Sequence, residues 1–133
     1  MSEHSLHPGS CNLVVLAGEV THDPEPRELA AGVAWQFDIA AIVGGRAEPS
    51  ARCVVPVNWS QPSDAEIAVV VAGAEVVVIG TVRRRFFRTG GRTVSRTEVI
   101  PDRVIPLRRR AAVAKAVAAA AEQISGVGER PAR

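Results

Sequence analysis

A small, closed all-β barrel with one short helix between its third and fourth strands is the fold class the sequence predicts. Three observations carry that prediction. Short apolar or alternating runs recur through residues 13–107, separated by Gly- and Pro-containing punctuation. One helix-start signal, Ser63-Asp64-Ala65-Glu66, interrupts them after the third run. Apolar residues make up 47% of the chain but aromatics only 4%, with no Tyr, so the core must be built from Val, Ile, Leu and Ala. At 133 residues the chain is one domain plus, at most, a tail.

Residues 1–10 are polar and turn-prone and read as a flexible arm. Leu13-Val14-Val15-Leu16-Ala17 reads as a buried first strand, and Gly18 marks a bulge or a close backbone approach. Asp23-Pro24-Glu25-Pro26 is a turn or extended link. From Ala34 to Ala40 apolar residues alternate with polar or small ones, a half-buried second strand with Trp35, Phe37 and Ile39 on one face. Gly44-Gly45 and Glu48-Pro49-Ser50 form the loop into a third strand, Arg52 to Val57, where Pro56 calls for an edge or a bulge.

Ser63 caps a helix predicted from about Asp64 to Ala72, with Gly73 as its stop. Glu75 to Phe87 is a long fourth strand. Val76, Val78, Gly80 and Val82 share its core face; Val77, Ile79, Thr81, Arg83, Arg85 and Phe87 share the other. Thr89-Gly90-Gly91-Arg92 turns the chain into a return strand from Thr93 to Val99 that continues past Pro101 to Leu107. Three strands, a helix and two strands is the layout of the five-stranded oligonucleotide-binding (OB) barrel. The expected organisation is thus an arm over 1–10, an OB domain over 11–107 and a basic, Ala-rich tail over 108–133. In the tail, Arg108-Arg109-Arg110 precedes an Ala-rich run to Ile124, which predicts a helix of about fourteen residues. Its small side chains would bury little area, so a disordered tail that orders on a partner is the alternative.

Charge sorts by sign along the chain. The net charge is only +2, yet residues 1–82 hold ten acids and three Arg, whereas residues 83–110 hold ten Arg and two acids, Glu98 and Asp102. The basic block opens with Arg83-Arg84-Arg85-Phe86-Phe87-Arg88. Guanidinium groups bind phosphate and aromatic faces stack on bases, so interleaving them suits a single-stranded nucleic acid. A solvated Arg-rich hairpin is the competing reading. Phe87, flanked by Arg83 and Arg85 on the face opposite the Val76/Val78/Val82 stripe, is a stacking platform or a subunit-packing residue, and stacking is favoured. Arg88 belongs to the same block, and Arg92 and Arg96 flank the hairpin as phosphate contacts. Trp59, beside Ser60-Gln61, suits base stacking and loop packing equally. Phe37 is assigned to the core, and Trp35, on the same stripe, is kept as a contact candidate. Phe86 faces the other way, towards the barrel end, and reads as core.

Several chemistries are excluded. Cys11 and Cys53 lack metal-ligand spacing and read as free, reduced thiols. His4, His7 and His22 have no Cys or paired carboxylate nearby, so no metal site, cofactor site or nucleophile–base pair is expected, and an enzyme is the least favoured class. The Thr89-Gly90-Gly91 turn leads into no Lys-Ser/Thr helix start and is not a phosphate-cradling loop. The N-terminus has neither a basic region nor a long apolar run, and no stretch is long enough for a membrane span. The expected location is cytoplasmic, associated with the nucleoid.

Four pieces together resemble the bacterial single-stranded DNA-binding protein family. Asn12 to Arg27 is similar to its opening strand and Asp-Pro-Glu-x-Arg turn; Gln36-Phe37-Asp38-Ile39-Ala40 to its second strand; Ala72 to Arg83 to its Gly-x-x-Val-x-Val-x-Gly-x-Leu-Arg element; and Arg96-Thr97-Glu98-Val99 to its final-strand signature. The resemblance implies a non-enzymatic OB-fold protein that assembles as a homotetramer or dimer and coats single-stranded DNA in replication, recombination or repair. It places Phe87 at a stacking position and Arg83 and Arg85 at basic ones. Three family aromatic positions are replaced here, by Gly44-Gly45, Ser50-Ala51 and Val57-Asn58, with Trp59 close enough to substitute in part. The acidic C-terminal tip is replaced by Gly128-Glu129-Arg130-Pro131-Ala132-Arg133, as in a divergent, short paralogue. The alternative function is an OB-fold interaction module of a primosome or recombination complex, which the sparse aromatics favour. RNA is a further candidate ligand, because stacking and phosphate contacts serve both polymers.

Overall fold

A computed structural model of the chain describes residues 10–42 and 51–127. The N-terminal arm up to Gly9, with His4 and His7, the Gly44-Gly45 and Glu48-Pro49-Ser50 loop, and the C-terminal tip from Gly128 lie outside the described residues. Within them the elements run β1 (Val14–Val20), β2 (Glu25–Leu29), β3 (Gly32–Ile42), β4 (Arg52–Ser60), α1 (Asp64–Ala68), β5 (Glu75–Thr89), β6 (Arg92–Pro106) and α2 (Arg110–Ser125). The sheet order is β1-β5-β6-β4-β3-β2, and β1 also pairs with β3, which closes β1, β5, β6, β4 and β3 into a ring. This is the predicted OB barrel. The strand β2 is additional, formed where a link was expected. It pairs only with the first half of β3, from Glu25↔Gln36 to Leu29↔Gly32, and every residue in it is exposed. With Pro26 and no apolar stripe it carries no periodic signal, and an edge position tolerates the missing N–H.

Closure depends on β3 changing partner along one edge, from β2 at residues 32–36 to β1 at Ile39 and Ala40. At that crossing the backbones approach closely: a Cβ on Gly18 would strike the carbonyl of Ala40. The close approach expected at Gly18 is this closure. On the other side of the ring, β4 meets β6 in parallel through one registered pair, Val57↔Val99. Pro56 therefore sits beside a minimal ladder, opposite Asp38 of β3. Strand β6 is continuous through Pro101 because a bulge leaves Asp102 unpaired between Ile79↔Arg103 and Gly80↔Pro101.

The barrel interior holds Val20, Phe37, Ile39, Val57, Trp59, Val70, Val76, Val78 and Val99. Phe37 and Trp59 meet edge to face, with ring centroids 6.5 Å apart. The predicted capping box is present at α1: the Ser63 hydroxyl accepts from the Glu66 N–H at 3.1 Å, and the Glu66 carboxylate accepts from the Ser63 N–H at 2.7 Å. The helix ends at Ala68, a turn earlier than the pattern suggested, because the chain turns to seat Val70 in the core. Gly73, at φ +87°, then turns the chain back and donates its N–H to the Val20 carbonyl at 2.8 Å.

A second apolar cluster lies outside the ring. Val77 and Ile79 of β5 and Ile105 of β6 are covered by Ala116 and Ala120 of α2. The Ala-rich segment is thus a sixteen-residue helix packed on the sheet. Ala side chains bury little of themselves, but they let the helix approach closely enough to bury the strand residues beneath it. No helix among the described residues is long and apolar enough to cross a membrane.

Candidate nucleic-acid interface

Beyond Val82 and Val99, β5 and β6 pair, among the described residues, only with each other and leave the barrel as a two-stranded ribbon. Gly90 and Gly91, at φ +58° and +77°, form its tip, a two-residue turn that requires positive φ at both positions. Side chains alternate, so the register sorts them into two faces. Arg83↔Glu98, Arg85↔Arg96 and Phe87↔Val94 share the first face; Arg84↔Thr97, Phe86↔Ser95 and Arg88↔Thr93 share the second. Asn12, just before β1, anchors the base. Its side-chain amide donates to the Val82 carbonyl at 2.9 Å and its oxygen accepts from the Val82 N–H at 2.8 Å, as a neighbouring strand would.

The first face is organised around Glu98, which is only 1% exposed. Arg83 donates from Nη2 to Oε2 at 2.7 Å, Arg85 Nε lies 3.3 Å from the same oxygen, and Arg96 Nε is 4.0 Å from Oε1. Asn58 of β4 donates to Oε2 at 3.4 Å. Burial opposes ionisation of this carboxyl. The Arg83 hydrogen bond, the Arg85 charge, the Asn58 amide and the Arg83 charge together outweigh it, so Glu98 titrates below its ordinary value. Phe87 is half-buried, with the Arg85 guanidinium 5.2 Å from its ring centroid.

The second face is open. Phe86 is 65% exposed, and the Arg84 guanidinium lies 5.7 Å from its ring centroid. Arg84 also donates to the Ser95 hydroxyl at 3.4 Å, and Arg88 donates to the Gly91 carbonyl at 3.0 Å, curling over the tip. No group of three or more His, Cys, Asp or Glu side chains suited to a metal occurs among the described residues. His22 lies 3.7 Å from Asp38.

The structure gathers Arg83, Arg85, Phe87 and Arg96 on one ribbon face, places Arg88 on the other and Arg92 at the tip. It separates the tryptophans from them. Trp59 is 5% exposed in the core and offers no ring face to a base, because β4 runs three residues past Val57 and seats it opposite Trp35. Trp35 is half-buried against the same core. Phe86 reverses its expected place, since its stripe is interior only as far as the barrel extends. Arg108, Arg109 and Arg110 follow the opposite end of β6 from the ribbon tip. Sequence reasoning missed Asn12, Asn58 and Glu98. Glu98 was visible as an acid in a basic block and as part of the final-strand piece, and neither signal shows that it is buried.

No protein-family model and no curated protein matches the chain. Among solved structures, the fold is similar to that of a Plasmodium falciparum SSB in complex with ssDNA. The TM-score is 0.61, over 80% of this chain and 98% of that one, at 20% sequence identity. At that identity the likeness is one of fold: the chain has an OB barrel.

Proposed function

We propose that this chain binds single-stranded DNA without reading its sequence, as a non-catalytic homo-oligomeric coat in cytoplasmic replication, recombination or repair. We also infer kinship with the bacterial single-stranded DNA-binding proteins from the four sequence pieces described above. The observation that carries the functional reading is the ribbon. An exposed ring, Phe86, and a half-buried one, Phe87, alternate with arginines on a two-stranded arm that leaves an OB barrel. Every base has a π-face and every nucleotide a phosphate, so such a surface grips a strand regardless of sequence. Unpaired bases are required, because a duplex hides its π-faces.

A second reading, a partner-binding OB module with weak DNA affinity, is favoured by one observation: Trp59 is sealed in the core, which leaves few rings to stack. Titration of the full chain with a fluorescein-labelled oligo-dT at low and moderate salt separates the two. The coat reading expects tight binding at low salt that weakens steeply as salt rises, and much weaker binding to the same length of duplex. No binding at low salt refutes it in favour of the partner module. An oligo-U arm reports the preference between DNA and RNA.

A further inference from the structure

Glu98 stands against the logic of a phosphate-gripping face, because a carboxylate there repels phosphate. Its surroundings argue a different role. The carboxylate is buried, yet the three arginines on it keep 50% (Arg83), 34% (Arg85) and 42% (Arg96) of their side chains exposed. Each guanidinium has five N–H donors in a fixed fork, and Arg83 uses one end on Glu98. Three positive charges around one negative leave an excess of positive charge at the surface. The Arg85 Nε is itself buried with no hydrogen-bond partner among the described residues, so this group is held close without being saturated. Without the carboxylate, Arg85 and its cross-strand neighbour Arg96 would repel, and all three side chains would regain the rotamer freedom that binding must then remove.

We propose that Glu98 is a positioning residue: by holding Arg83, Arg85 and Arg96 from beneath, it preorganises a notch that receives one backbone phosphate of a single strand beside Phe87. The inference rests on the reading of the ribbon as a DNA-binding surface. Asn58 fixes the carboxylate from the β4 side, so the notch is tied to the barrel as well as to the ribbon.

The test measures oligo-dT binding by fluorescence anisotropy across a salt series, using the full chain. Glu98→Gln keeps the shape and removes the negative charge. If Glu98 acted only as a charge, the variant would bind more tightly, with a steeper salt dependence. Positioning predicts the reverse: binding weaker by about three- to tenfold and a shallower salt slope, as ordered charge-assisted contacts are lost. Arg83→Ala, which weakens the unmodified chain, then changes little more in the Glu98→Gln background. Arg83→Lys keeps the charge at a half-exposed site and loses the fork, so it also weakens binding. It decides the matter should Glu98→Gln fail to fold. Glu98→Gln binding as tightly as the unmodified chain, or Arg83→Lys binding unchanged, overturns the proposal. If the unmodified chain holds no oligo-dT at low salt, the functional reading falls and takes the notch with it. If it binds and the variants behave as plain charges, the notch alone falls.

Discussion

Replacing Phe86 by Leu separates stacking from charge. Leu keeps most of the apolar bulk and removes only the π-face. The ring is 65% exposed, so little core packing is at stake, and a hydrophobic swap of this kind costs under about 1.5 kcal/mol of stability. Stacking on an aromatic contributes about 1–3 kcal/mol per base. Arg84 already rests on one face of the ring, and an exposed cation–π contact of about 0.5–1 kcal/mol is partly given up when a base takes its place. The net loss is then about 1–2 kcal/mol, or roughly 5- to 30-fold weaker binding to oligo-dT. No charge changes, so the slope of log affinity against log salt stays as it was. Phe87→Leu costs less, because that ring is half-buried. Fluorescence anisotropy at four or five salt concentrations reads both quantities. Unchanged affinity, or a loss accompanied by a changed salt slope, refutes stacking at Phe86.

Three further outcomes follow from the geometry. Ending the chain after Leu107 uncovers Val77, Ile79 and Ile105, each of which loses part of the roughly 1.5–3 kcal/mol its burial contributes; stability falls by about 2–4 kcal/mol in total, read as a lower urea midpoint, and an unchanged midpoint would show that α2 is not part of the folded unit. Gly18→Ala forces β1 away from the Ala40 carbonyl and destabilises by about 1–3 kcal/mol, read as a lowered melting temperature with the binding salt slope retained. Glu98 titrates below its ordinary value when folded, so the unfolded chain binds its proton more readily. Its contribution is fully present above the unfolded carboxyl value, about 4.3, and is lost as pH falls through the folded one. Thermal melts between pH 7 and 3 should therefore show a gentler acid decline for Glu98→Gln than for the unmodified chain.

Local chemistry was legible wherever one short segment settles the outcome. The Ser63/Glu66 capping box closes within four residues and formed as read. Gly18 signalled a close approach because only a residue without Cβ suits one. Period-two alternation correctly placed Val76 and Val78 inside, and Arg83, Arg85 and Phe87 together on the opposite side. Alternation assigns side chains to a face but says nothing of what covers that face or where cover ends. Val77 and Ile79 share a side with Arg83, yet they are buried because α2 lies on them. Phe86 shares a side with Val78, yet it is exposed because β1 and β4 stop short of the ribbon.

The amino-acid sequence by itself determined the barrel, its helix and the concentration of arginine and phenylalanine on one hairpin, because strand period, caps and turn glycines act over a few neighbouring residues. Only the tertiary structure decided which rings face water and which arginines share a carboxylate. Those outcomes depend on Trp59 meeting Phe37, α2 meeting β5, and Asn58 reaching Glu98 across forty positions of chain. Burial and ion pairing are properties of such meetings, and no short segment contains both partners of any of them.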